Sequence, residues 1–215
     1  PADVVVNPHQ KDCPYPYKNL CGAGVAWKLV SALWEQLGVP EQELYEDLLL
    51  FAGFATVGDV MDLTGENRIL VKEALKLLKT TTHPGISALI EVNEISRETI
   101  SAFHIGFVLG PCINASGRLD TAARSLELLL ADTAKRALEL LKTTDYEKAL
   151  VKAAELKALN DERKSMTDDG VQQALDQIEN SDMKGDRVLV IYLPDCHESL
   201  AGIIAGRIRE RYYRP

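Results

Sequence analysis

From residue 121 to residue 178 the chain is almost continuously helical in character, and this stretch constrains the fold more than any other feature. Its later part sets Ala149, Leu150, Ala153, Leu156 and Leu159 on one face, with Lys, Glu, Asp, Asn and Arg on the others. A long helix with so narrow an apolar stripe is expected to bridge two domains rather than fill one core. Asp132 and Asp145 are candidate N-cap breaks within it. Before it, residues 2–6 read as a short buried strand and residues 23–37, 41–53 and 66–79 as helices. The first of these helices lines up Ala26, Val30, Leu33 and Leu37. Residues 87–92 and 96–103 read as a pair of short helices. Residues 106–119, rich in Gly, Pro, Asn and Ser, read as a loop. After the long stretch, residues 187–193 read as a strand, 194–198 as a loop and 199–213 as a helix. The expected fold is therefore α/β and helix-rich, divided at 1–130, 131–180 and 181–215. The chain opens on Pro1 rather than Met and stops at Pro215, so both ends read as cut; a processed whole protein is the alternative.

Hydrophobic residues make up 46% and charged residues 26%, an ordinary balance for a globular chain. No apolar run approaches the ~20 residues needed to cross a bilayer. Cys13, Cys21, Cys112 and Cys196 form no CxxC pair and lack a His cluster at zinc spacing. Free thiols in a reducing, cytoplasmic setting are the expectation. The net charge of −8 argues against an unaided nucleic-acid clamp, which neutralises phosphates with Lys and Arg. The charge is unevenly spread. No basic residue stands between Lys28 and Arg68, while Glu35, Glu41, Glu43, Glu46, Asp47, Asp59, Asp62 and Glu66 fall inside that window. Arg207, Arg209, Arg211 and Arg214 crowd the far end.

Chemistry has three candidate places. In Thr56-Val57-Gly58-Asp59-Val60-Met61-Asp62-Leu63, an Asp at an element end projects a carboxylate toward a cleft, and hard cations such as Mg²⁺ or Mn²⁺ take such oxygens. The plainer job for Asp59 or Asp62 is to cap the helix near Glu66. In Asn114-Ala115-Ser116-Gly117-Arg118, small residues admit a ligand to the backbone and Arg118 is a phosphate donor. Arg118 paired with a nearby carboxylate is the alternative. In Asp195-Cys196-His197-Glu198-Ser199-Leu200-Ala201-Gly202, a strand end passes into a helix start, where free N–H groups favour anions. There Ser199 is a candidate cap. His197 is a candidate donor, or simply a solvated or capping residue.

These motifs follow one another in a particular order. Leu20-Cys21-Gly22-Ala23-Gly24 comes early, then Thr56-Val57-Gly58-Asp59-Val60 and Gly65-Glu66-Asn67-Arg68. Asn114-Ala115-Ser116-Gly117-Arg118-Leu119 follows, and Ala201-Gly202-Ile203-Ile204-Ala205-Gly206-Arg207 comes last. The series resembles the RecJ family of 5′→3′ single-stranded-DNA exonucleases, in the DHH phosphoesterase superfamily, over essentially the full chain. The resemblance implies the C-terminal part of a DHH-type catalytic domain at 1–130, a connector helix, and the first strand and helix of a second α/β domain. It implies a two-metal Mn²⁺ or Mg²⁺ site to which this chain brings one ligand, Asp59, the remaining ligands lying outside it. Asn114, Arg118, His197 and Arg207 become candidate contacts to single-stranded DNA. A helicase and a single-strand-binding protein are implied partners, and no membrane. The chain departs from the usual pattern at Gly58, where Ala is commoner, at Cys112, where a basic residue is frequent, and at Ser199-Leu200, where Gly-Val is frequent. Another DHH-superfamily phosphoesterase and a non-catalytic nucleic-acid-binding piece are the alternatives. On this reading the chain alone is inactive.

Overall fold

The computed structural model of the protein describes residues 3–38, 42–130 and 144–215. It divides into two units, Pro1–Pro111 with Leu128–Ala153, and Cys112–Glu127 with Ala154–Pro215. Helices dominate both, and no strand occurs among the described residues.

The first unit is built on α1 (Gly22–Leu37), α2 (Gln42–Gly58), α3 (Gly65–Thr80) and α4 (Pro84–Val92). Cys21 caps α1, its Sγ accepting from the Gly24 N–H, and Gly38 ends it at φ 62. The apolar row expected along this helix is not its buried face, since Leu33 and Leu37 are exposed. Its contacts to α2 run instead through Trp27 and Trp34, with ring centroids 5.6 and 6.5 Å from Tyr45. Helix α2 continues past the expected stop because Phe54 and Thr56 are still buried. Against it α3 packs Leu70, Val71, Ala74 and Leu78, one apolar stripe at helical spacing. Pro84 begins α4, and His83 Nδ1 accepts from the Ile86 N–H.

The segment expected as a helix at 96–103 is mostly turn. Arg97 reaches back to the carbonyls of Leu78 and Thr81 and to Ser87 Oγ, which holds it as a loop. A helix begins only at α5 (Ala102–His104), with Ser101 and His104 forming a reciprocal cap. Residues 106–119, expected as a loop, are helical too. Ile105–Leu109 winds as a π turn that leads into α6 (Gly110–Leu119). The Gly110 N–H bonds back to Ile105 O, and a Cβ on Gly110 would stand 2.7 Å from that oxygen. Glycine is thus the residue this wider turn admits. The expected strand at 2–6 is exposed coil where described, with Val4 79% accessible. It has no paired neighbour among the described residues to make it a strand.

Glu66 opens α3 and joins three elements of this unit. It accepts from the Tyr15 hydroxyl at 2.8 Å and pairs with Lys28 Nζ at 2.7 Å. Lys28 lies 5.8 Å from the Tyr15 ring centroid and 5.2 Å from that of Trp27. Burial alone would raise the Glu66 carboxyl, but the bonds from Lys28 and Tyr15 outweigh it and hold it below its ordinary value. A depressed folded value stabilises above the unfolded pKa of about 4.3 and loses that stability as pH falls through the folded one. Glu66→Gln is therefore expected to cost about 0.5–1 kcal/mol at neutral pH, this pair being part-exposed, and less near pH 3, below the unfolded value. Urea unfolding at the two pH values checks it; a cost equal at both would speak against the network.

The second unit contains α7 (Ala123–Leu129) up to Glu127, most of α8 (Thr144–Glu179), a 3₁₀ turn (Asp182–Gly185) and α9 (Glu198–Tyr212). Its core is Ala174, Leu175, Ile178, Leu200, Ile204 and Ile208. Along α8 the apolar stripe read from the sequence is buried at Ala149, Ala153 and Leu156. Asp132 lies outside the described residues, and Asp145 falls inside the helix. Residues 187–193 alternate as a strand would: Leu189, Ile191 and Leu193 turn to the core, while Val188, Val190 and Tyr192 are exposed. They are nevertheless coil, because no neighbouring strand among the described residues offers a ladder.

Candidate metal ligand and nucleic-acid interface

Asp59 stands at the C-terminal end of α2. Its N–H donates to Ala55 O at 2.8 Å. The Val60 N–H then turns back to Val57 O, and the Met61 N–H to Thr56 O at 3.1 Å. This pair of bonds is a Schellman turn, which places Asp59 at the C-cap. The left-handed position after it is normally Gly or Asn, yet here it is Val60 at φ 56. A β-branched residue there is strained by about 1–2 kcal/mol. The carboxylate also sits at the negative end of a helix dipole, where a cation rather than an anion is favoured. Two local rules are broken side by side at one exposed point. The capping role considered for Asp59 and Asp62 is not what they do: the N-cap of α3 is Thr64. Asp62 instead gives its carbonyl to Asn67 Nδ2 at 3.0 Å.

The other four candidates all lie in the second unit. Asn114 and Arg118, four residues apart on α6, share one exposed helix face. Arg118 Nη1 donates to Ser199 O at 3.3 Å, and Ser199 Oγ returns a bond to Arg118 O at 3.1 Å. His197, rather than Ser199, caps α9, its Nδ1 accepting from the Ser199 N–H at 3.3 Å. Ser199 Oγ is 2.7 Å from the same nitrogen. Ser199 thereby links Arg118 to His197. Arg207, on α9, pairs with Asp168 on α8 at 2.5 Å.

Arg163 completes the group and was not singled out from the sequence, where it is one of many charges on a wet helix. Burial lowers its guanidinium below the usual arginine range, and the positive charges of Arg118 and Arg207 lower it further. It is anchored on Oδ1 of the buried Asn160 at 3.1 Å. Two guanidiniums thus act on a third within this unit, partly offset by the Asp168 carboxylate that pairs with Arg207, in a chain of net charge −8. Ser116 serves the frame instead: it is fully buried and bonded to Ser125 Oγ at 2.7 Å.

Among the described residues no helix is long and apolar enough to cross a membrane, and no three His, Cys, Asp or Glu cluster as a metal would need. No protein-family model matches the chain. Curated relatives do. The chain is 34% identical over its whole length to the single-stranded-DNA-specific exonuclease RecJ of Salmonella typhimurium and 35% identical to that of Escherichia coli, spanning 37% of each. It is 36% identical over 90% of its length to RecJ of Thermus thermophilus, spanning 26% of it. Among solved structures, an exonuclease RecJ bound to manganese matches 94% of the chain with a TM-score of 0.77 and 30% identity, the match covering 46% of that protein. RecJ from Thermus thermophilus in complex with Mg²⁺ matches 94% of the chain with a TM-score of 0.75 and 32% identity, over 29% of its length. The chain therefore spans about a third of the curated relatives it matches, and it belongs to the RecJ family.

Proposed function

We propose that this chain is the part of a metal-dependent single-stranded-DNA exonuclease that brings one metal ligand, Asp59, and part of the strand-binding surface. In this reading residues 1–130 belong to the catalytic domain, 131–180 to a connector, and 181–215 to the start of a second domain. The observation that carries it is the end of α2. A carboxylate at a helix C-cap meets the negative end of the helix dipole, an unfavourable setting that a cation near Asp59 would offset, and the left-handed valine beside it is backbone strain of the kind that clusters at functional sites. Divalent cations supply charge stabilisation in phosphodiester hydrolysis. One carboxylate does not suit a hard cation that takes about six oxygen ligands, so the described residues do not hold the ion by themselves. Arg118, Arg163 and Arg207, with Asn114 and His197 near Arg118, supply donors for backbone phosphates. A cytoplasmic setting, and a helicase or single-strand-binding protein as further partners, follow from the resemblance alone.

The test is Mn²⁺-dependent release of mononucleotides from single-stranded DNA. The 215-residue chain alone is expected to release none. A longer protein containing it is expected to be active and to lose at least about a hundredfold on Asp59→Ala, while its metal-free unfolding shifts toward stability by no more than about 1 kcal/mol, because the carboxylate removed is exposed at the negative end of α2. Full activity in the Asp59→Ala protein would remove Asp59 from the site.

A further inference from the structure

Phe103 and Phe107 stack on each other with ring centroids 5.0 Å apart and planes 27° from parallel, yet they are 60% and 69% accessible. His104 meets Phe103 edge-on at 5.7 Å, and its ring is fixed by the reciprocal cap with Ser101. An offset aromatic stack left in water leaves apolar faces uncovered, with their conformational freedom already spent. The backbone beneath is equally specific. The π turn Ile105–Leu109 carries Phe107 outward, while Ile105 and Leu109 are fully buried. Such turns occur often at functional sites.

The location narrows what covers the rings. A Cβ on Gly106 would lie 3.6 Å from Val57 Cγ1, so the π turn rests on the last turn of α2, two residues before Asp59. The turn that carries the stack therefore packs against the end of α2 that holds the candidate ligand. The carboxylate there repels phosphate, which favours the base side of a strand over its backbone. A flat π face accepts any base, and a base inside a duplex is already stacked and cannot reach it. We propose that the Phe103–Phe107 stack is a platform for an unpaired nucleobase, independent of base identity. This rests on the reading that the chain binds single-stranded DNA, and it adds a residue-level reason for preferring single strands.

The test titrates the 215-residue chain at low salt with an oligothymidylate carrying one 2-aminopurine, and with a matched strand that is abasic at that position. The expected result is 2-aminopurine quenching, with binding about tenfold weaker for the abasic strand. Phe107→Ala should show the same weakening and no longer distinguish the two strands, whereas Phe107→Trp should keep both properties. Both rings are exposed, so circular dichroism should be unchanged. Strands bound equally with and without the base would overturn the platform while leaving single-strand binding in place. A chain that binds no strand at all would overturn the platform, and the activity of the longer protein separately tests the reading it rests on. Base-independent binding, with a dimer that Phe107→Ala abolishes in sedimentation, would assign the stack to self-association and overturn the platform.

Discussion

Gly53→Ala is expected to cost the first unit about 2–3 kcal/mol, seen as a lower midpoint in chemical denaturation. A Cβ on Gly53 would stand 2.3 Å from Ala74 Cβ and 2.7 Å from Leu70 O. Neither atom is the free end of a flexible side chain, and Ala74 is fully buried, so α2 and α3 would have to move apart. The comparison is Gly58→Ala in the same helix, where nothing lies within 4 Å. That change is expected to be neutral or to gain up to about 1 kcal/mol, because alanine is the better helix former. Equal behaviour of the two variants would mean that the helices are not in such close contact.

Asn67→Asp is expected to be more damaging, by about 3–5 kcal/mol at neutral pH. Asn67 is fully buried, and its Nδ2 donates to Asn19 O at 2.8 Å and Asp62 O at 3.0 Å. An aspartate of the same shape sets acceptors against both carbonyls. Burial there raises the carboxyl above its unfolded value of about 3.9. The variant is then most stable below that value and loses stability as pH rises toward the folded one. Asn67→Leu carries no titratable group, so its cost should be flat. Denaturation at about pH 4 and pH 7 separates them: partial recovery at the lower pH for aspartate alone is the expected pattern. An Asn67→Asp chain as stable as the parent at pH 7 would show that these bonds do not hold the loop after Asp59.

The first three helices of the first unit were legible from single signals, Gly38 after α1 and the Leu70, Ala74 and Leu78 row in α3, although the apolar row of α1 faces water and α2 runs past its expected stop. The stretch around Asn114 was misread for a physical reason. Gly110 and Pro111 are ordinary helix breakers, but a π turn just ahead removes the conflict by bonding five residues back. No local pattern announces that. The two expected strands failed because strand formation is not a local property; residues 187–193 have the alternation and lack the neighbour. At Asp59 the sequence supplied the residue but not its setting. A C-cap followed by a left-handed valine contradicts the residue preferences that sequence reading relies on. Arg163 was hidden among exposed charges, and its proximity to Arg118 and Arg207 is purely tertiary.

The alternation at 187–193 bears on how this chain behaves at high concentration. Val188, Val190 and Tyr192 present apolar side chains to water on a coil without a strand partner among the described residues, its Leu189 N–H bonded to Pro215 O and its Tyr192 O to Gln177. A segment of this kind is a template for an incoming strand, and the nearest supply is the same segment of another molecule. Aggregation would then begin at a site whose inner face is already anchored by Leu189, Ile191 and Leu193 on a folded core, with no unfolding needed. The net charge of −8 sets long-range repulsion against it, and added salt screens that repulsion while leaving the template untouched.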